Sequence, residues 1–364
     1  MKKLKVKVIK IYLFDIAEEI LLPKAEQILG PTKTDFGQIQ IRRHTPKYMT
    51  YDVPPILLKQ TKKMDIGNNP LGYDEKIKIF EFGVLSIMQY FDFEGTLKEL
   101  NQFSIELEND LEQKKKVKQT ANELLEKIIP ATVHPGIHEK FIEEYMIFHI
   151  YQQEKSLTGK NFLEKNKKQI AQLLKFETQP LSKQAIYSSV NRTLSYYETD
   201  LVIVDFAASL IVDEAESSDS IDILEYAKVQ LLELRFYDSL LDKKLESIYP
   251  ELAHAGKPKN LEQALTDITK FKLWSVEIFE KVENALKPIG DLYLTKIYKF
   301  ALEEFQMQKW EKSVEERMKY LDEIYGKLND MRIAKQNTIY EILLVVLELI
   351  IVILILIEII AFGK

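Results

Sequence analysis

The sequence predicts an α+β fold: a mixed α/β head, a helical C-terminal part with a coiled-coil-like stalk, and one transmembrane helix at the end. Three patterns carry this. Apolar residues alternate with lysines at the N-terminus, strand and helix signals mix up to about residue 215, and from there the pattern is purely helical, closing on a long apolar run. The divisions follow as a head over 1–215, a helical domain and stalk over 216–338, and an anchor over 339–364.

Leu4, Val6 and Val8 alternate with Lys3, Lys5 and Lys7, the period of two that marks a half-buried, edge-type strand running towards Phe14. Residues 22–29 read as a short helix. A strand-rich stretch from Lys76 to Phe93 contains Gly83, which places a bulge or tight bend between two strands. Thr96 and Glu99 make a capping box that opens one long helix, with Leu97, Leu100, Leu107 and Leu111 on roughly one side and an end near Pro130. Glu143–Tyr151 is the next strand, 162–176 and 181–192 are short helices, and Leu201–Val204 with Ser209–Val212 form a hairpin-like pair.

Beyond an acidic, serine-containing stretch, the helix from about 220 to 247 is apolar nearly all round, which suits a central position between layers. Pro250, Gly256 and Pro258 separate it from a helix near 260–286, and Pro288 and Gly290 precede a third. In the third, Met307, Val314, Met318, Leu321, Tyr325 and Leu328 step by three and four except across Glu311. Such spacing fits a coiled coil or an ordinary core-facing stripe. Either way the helix is a stalk leading to the apolar run, with Gly326 and residues 334–338 as its weak points.

The run from Ile342 to Phe362 has 21 residues, 17 of them Ile, Leu or Val. At about 1.5 Å per residue it matches a hydrocarbon core roughly 30 Å thick. Each of these side chains favours insertion by about 0.3–0.6 kcal/mol, against about 2.5–3.5 kcal/mol for a central carboxylate, so the apolar total outweighs Glu348. Only Gly363 and Lys364 follow, the arrangement of a tail anchor. Arg332 and Lys335 on the near side put the bulk of the chain in the cytoplasm by the positive-inside rule. At the N-terminus, Lys5, Lys7 and Lys10 interrupt any signal-peptide core. Glu348 lies seven residues from Glu341, on roughly the same face, and is expected to take a proton or a partner helix. Glu358, near the far interface, is within snorkelling reach. The expected partners are therefore the lipid bilayer, through Ile342–Phe362, and another protein or a second copy of the chain.

Cysteine is absent, which excludes disulfides, thiolate nucleophiles and Cys-ligated metal centres. A net charge of −6 argues against nonspecific binding of nucleic acid or anionic lipid by the whole chain, while leaving room for a local basic patch. The phosphate-cradling glycine loops, HExxH and GxSxG are all missing, so no cofactor is expected and enzymatic activity is the less favoured reading.

Some residues nevertheless invite a chemical reading. His134 and His138 have metal-ligand spacing, but Pro135 and Gly136 between them favour a turn, and no metal is assigned. Asp200 and Asp205 bracket Leu201–Val204, with Asp213, Glu214 and Glu216 following; a hard cation would suit the set, yet solvated strand ends explain it more simply. Glu233, Arg235, Asp238 and Asp242 lie among apolar neighbours on the central helix, where Arg235 can reach Asp238 at i,i+3. A buried ion-pair network is the default for them, and with Asp205 they are the weak catalytic candidates.

The segment Leu347–Ile359, in which Glu348 and Glu358 sit ten residues apart, resembles the end of the "required for meiotic nuclear division" family, a sporulation and mitochondrial-translation family built on a domain of unknown function. Ile79–Ser86 is similar to that family's Phe-x-Tyr-Gly-Val-Val strand, with Phe82 at the Tyr position, and Arg317–Met331 to its pre-membrane helix. Leu349 stands where the family has Trp. The resemblance implies a membrane-attached protein of a bacterial or archaeal branch whose eukaryotic relatives support mitochondrial translation, with no established enzymatic activity.

The expected function is thus a membrane-tethered scaffold or interaction protein, with translation or membrane-associated assembly implied by the resemblance. The alternative is a membrane-bound, cation-dependent enzyme acting on a nucleotide or nucleic acid, in which Asp205 and Asp238 hold the cation. A cleft gathering those carboxylates beside Arg235 would favour the enzyme.

Overall fold

The computed structural model describes residues 3–30, 42–43, 49–51, 53–66, 69–137, 141–152, 158–213, 219–253, 258–284, 286–288 and 292–362. It has the mixed α/β sheet and helical C-terminal part of the α+β class, and it divides into two compact units, Met1–Phe236 with Ile278–Glu311, and Tyr237–Glu277 with Lys312–Lys364.

In chain order the first unit contains β1 (Leu4–Asp15), β2 (Glu19–Ile20), α1 (Leu22–Leu29), β3 (Arg42–Arg43), β4 (Met49–Tyr51), β5 (Ile56–Ile66), β6 (Asn69–Ile79), β7 (Val84–Gly95), α2 (Leu97–Asn109) and α3 (Leu111–Ile128). There follow β8 (Thr132–Val133), β9 (Ile142–Gln152), α4 (Gly159–Leu174), α5 (Lys183–Val190), β10 (Leu201–Val204) and β11 (Ala208–Val212). Eight strands form one sheet in the order β10-β11-β9-β1-β7-β6-β5-β3. β1 is at its centre, antiparallel to β7 (Ile9 opposite Tyr90) and to β9 (Ile9 opposite Ile147). β11 pairs with β9 in parallel, so the chain between them must cross over the sheet, and α4 and α5 lie in that crossover.

The strand read as edge-type is therefore central. Its lysines at 5 and 7 are near the start, but from Val8 to Asp15 every residue is buried, including Lys10. Alternation still sorts the contacts. Val6 and Val8 join a core with Leu97 and Leu100 of α2 and Phe162 and Ile170 of α4, while Tyr12 and Phe14, on the same face, join α1 and α3 through Ala25, Val117 and Leu124. Ile9, Ile11 and Leu13, on the other face, are buried too. Lys10, on the face of Val8 and Tyr12, is held in an ion-pair cluster, bonded to Glu108 and lying 2.9 Å from Glu144, which Lys114 also meets at 2.9 Å.

Gly83 makes the bend between β6 and β7. Its φ is +92°, and a Cβ there would lie 1.6 Å from the Ala17 carbonyl oxygen. The capping box of Thr96 and Glu99 opens α2. The expected single helix is in fact two, because Asp110 ends α2 in extended backbone and its carboxylate accepts from the Gln113 N–H to cap α3. Leu111 consequently leaves the apolar side and is 68% exposed.

Three more long helices and a short one complete the chain: α6 (Asp219–Ala253), α7 (Pro258–Asn284), α8 (Leu292–Glu304) and α9 (Met307–Phe362), with β12 (Leu286–Pro288) pairing to β4. The third helical segment is split at Gln306, whose φ is +56°. In the second unit, Leu321, Ile324 and Leu328 of α9 bury against Leu245 and Ile248 of α6 and Leu261, Leu265 and Ile268 of α7. The stripe read as coiled-coil-like thus faces helices of its own chain at these positions. Neither Gly326 nor residues 334–338 interrupt α9. Its apolar segment is exposed throughout, and it is long and apolar enough to cross a membrane.

Candidate functional site

The β9–β11 crossover carries a cleft of about 800 Å³. Thr158 caps α4 by accepting from the Asn161 N–H, and Ser182 caps α5 by accepting from the Ala185 N–H. Lys160, Glu164, Lys167 and Lys168 follow one stripe of α4, and Lys183, Tyr187 and Val190 one stripe of α5. The far wall is the 191–201 loop. It is held by Asp200, whose carboxylate accepts the N–H groups of Tyr196 and Tyr197 at 2.7 and 3.1 Å. Burial pushes that carboxyl's pKa up, against the lowering effect of the two backbone bonds. Gly159 seals the junction: its N–H donates to the Glu198 carbonyl at 2.8 Å, and a Cβ would lie 2.3 Å from the Asp200 carbonyl oxygen.

Besides Lys10, two more buried lysines mark the same unit, in opposite surroundings. Lys78 of β6 donates to Asp222 of α6 at 2.7 Å and to Glu225, which also accepts from Ser86 at 2.5 Å. Burial raises the Glu225 carboxyl, Lys78 opposes this, and Asp222 adds to it. Lys228, one turn further along α6, has no carboxylate within 3.5 Å among the described residues. Its ammonium donates to the Phe206 carbonyl at 2.8 Å, with Glu143 only at 4.0 Å, and lies 4.2–4.8 Å from the centroids of Phe305, Phe206 and Tyr145. Burial lowers its pKa to about 7, with Asp205 pulling weakly the other way. A lysine so tuned is a nucleophile by pKa, but at 1% exposure nothing reaches it.

The sequence-derived candidates do not converge. Asp205 sits at the β10–β11 turn, where it accepts from the Phe206 N–H at 2.6 Å and pairs with Lys175 at 2.8 Å. Glu233 is buried within α6. Arg235 pairs with Glu143 of β9 and lies over Trp310 at 5.6 Å. Asp238 and Asp242, in the second unit, take Arg317 of α9 at 2.7 and 3.4 Å. Asp238 thus has Arg317 as its counter-ion, where the sequence offered Arg235. His134 is exposed and meets Glu18 at 2.8 Å, whereas His138, Glu214 and Glu216 are outside the described residues. Glu348 and Glu358 are on the exposed part of α9. Among the described residues no three His, Asp or Glu side chains gather as metal ligands. Sequence reasoning passed over Lys78, Asp222, Glu225 and Lys228. The signal was there in the i, i+3, i+6 spacing of Asp222, Glu225 and Lys228, a charged stripe on a helix with no polar side to spare.

Fold and sites together define the class: an α+β sheet domain with a lysine-lined crossover cleft, joined to helices that end in an exposed apolar segment. Residues 5–219 match the family described as "Uncharacterized protein MJ0711, N-terminal domain", and the chain belongs to that family. The uncharacterized protein MJ0711 of Methanocaldococcus jannaschii is 26% identical over 191 residues, which cover 51% of this chain and 58% of that relative. No solved structure matches the chain.

This family corrects the resemblance to the "required for meiotic nuclear division" family, and the implied link to translation falls with it. Besides Arg317–Met331, a piece of α9, the misleading segments were Ile79–Ser86, a buried strand turn, and Leu347–Ile359, an apolar helix. Both are shaped by burial or lipid compatibility, demands that unrelated proteins meet with the same few residues. The family region contains the cleft and Lys78, whereas Asp222, Glu225, Lys228 and the apolar helix lie beyond its end at residue 219.

Proposed function

We propose that the protein is a membrane-tethered interaction protein, with α9 crossing the bilayer through Ile342–Phe362 and the rest of the chain on the cytoplasmic side. One observation carries this reading. Every large apolar side chain from Ile342 to Ile360 is 47–71% exposed, although full burial of each is worth about 1.5–3 kcal/mol. An apolar surface that continuous exceeds what a monomer leaves in water. Lipid is the solvent that accommodates it, and the helix satisfies its own backbone there. The rival reading, a cation-dependent enzyme, draws no support from Asp205, which pairs with Lys175, or from Asp238 and Asp242, which share Arg317.

The test is fractionation of cells expressing the full chain or a chain truncated after Asn337. The full chain is expected in the membrane pellet through an alkaline carbonate wash and released only by detergent, with the truncated chain in the supernatant. Full chain recovered in the soluble fraction after lysis without detergent refutes the tether. Within the same reading, Glu348 hydrogen-bonds to a second copy of the helix. Equal crosslinked size of wild type and Glu348→Leu in detergent would refute that part.

A further inference from the structure

The crossover cleft selects its ligand by two features that seldom occur together. One is charge. Lys160, Lys168 and Lys183 line it and form no ion pair among the described residues. Of the acidic groups lining it, Glu164 is neutralised by Lys167 at 2.7 Å, which leaves Glu198 and Asp200, the latter turned into its own loop by two backbone N–H bonds. Three cations against two anions leave the lining net positive in a chain of net charge −6. The pocket thus attracts an anion that the surface as a whole repels.

The other feature is flat and apolar. Leu163, Val190 and Leu201 are buried in the floor of the cleft, and the Tyr187 ring stands beside them on α5, 64% exposed. A bare phosphate would use the lysines and leave this floor and ring unused. An acidic peptide or a lipid headgroup would not call for a stacking face inside a concave site. A phosphate joined to an aromatic ring uses both, and about 800 Å³ is within the range of pockets that enclose such ligands.

We propose that the cleft binds a nucleotide, with its base on Tyr187 and the Leu163–Val190 floor and its phosphates among Lys160, Lys168 and Lys183. The same chemistry is offered by a free nucleotide and by one unit of a single RNA strand, since every base has a stacking face and every unit a phosphate. The proposal is independent of the membrane tether.

The test uses the full chain in detergent micelles, with radiolabelled ATP in equilibrium dialysis and a fluorescein-labelled oligoadenylate eight-mer in anisotropy. Binding of either is expected below 1 mM, as an order of magnitude for one stacked, phosphate-contacted unit. Tyr187→Ala should weaken it about 5- to 100-fold, the range of one lost base stack. Lys168→Gln with Lys183→Gln should weaken it at least about fivefold and flatten its salt dependence. Lys115→Gln, on the exposed face of α3, should leave it unchanged. All the altered side chains are exposed, so the variants retain the fold, which an unchanged thermal melt confirms. Tighter binding of ATP than of the eight-mer identifies the free nucleotide, and the reverse order identifies the strand. Failure of both probes to bind, equal binding by the Tyr187 and lysine variants, or displacement by inorganic pyrophosphate as effective as by AMP would overturn the proposal.

Discussion

Replacing Lys228 by Met removes a charge that the fold keeps buried at a loss, and the size of that loss can be worked from its surroundings. Three aromatic faces and one carbonyl favour the ammonium, at about 0.5–2 kcal/mol each. Burial still outweighs them, since the pKa is lowered to about 7. In the unfolded chain the group titrates near 10.4. Between these values the unfolded chain holds a proton that the folded one has released, so stability rises with pH by up to about 1.4 kcal/mol per unit. Below about pH 7 the penalty is fully present; above about 10.4 it is gone. Urea unfolding of the full chain in detergent at pH 7.5 and 9.5 should therefore show wild type gaining about 2–3 kcal/mol on Lys228→Met across that interval. Asp15, whose carboxyl is raised to about 8 by burial, contributes stability that is lost as pH rises through that value, but equally in both proteins. A difference that stays constant to within about 0.5 kcal/mol would refute the buried, depressed lysine.

Lys78→Met is expected to act with the opposite sign, although Lys78 is as buried as Lys228. It takes from Asp222 and Glu225 the ammonium they share, which destabilises by about 3–5 kcal/mol in urea melts at neutral pH; a loss under about 1 kcal/mol would contradict the triad. Gly83→Ala combines a positive φ with a collision against the Ala17 backbone, so a loss of at least about 3 kcal/mol is expected. Gly136→Ala meets open space and should change the melting temperature by less than about 2 °C, and similar melts for the two would contradict the turn geometry.

How much of this the sequence disclosed depends on whether a residue's role was written in its near neighbours. The bend at Gly83, the cap at Thr96 and the hairpin around Asp205 are local, and period and glycine placement show them directly. β5 went unread because Lys59, Lys62 and Lys63 dilute its apolar signal, although Ile56, Leu57 and Leu58 are buried. Asp110 was missed because the leucine pattern runs on past it, and Gln306 because nothing in its side chain announces a left-handed backbone. The cleft was illegible for a different reason. Its lysines are split between α4 and α5, about fifteen or more residues apart, and only the packing of the crossover brings them to one cavity. Lys228 was likewise hidden, since its ring of Tyr145, Phe206 and Phe305 comes from three distant stretches of chain.

The parallel pairing of β9 with β11 has a consequence for how such a protein can diversify. Joining two strands that run the same way obliges the chain to make a long excursion, and here the excursion is where the lysines and the exposed tyrosine are displayed. Their side chains are exposed, whereas the leucines that fasten α4 to the sheet are buried. Selection could therefore rewrite what the pocket recognises, one surface position at a time, while the strand order underneath is left undisturbed.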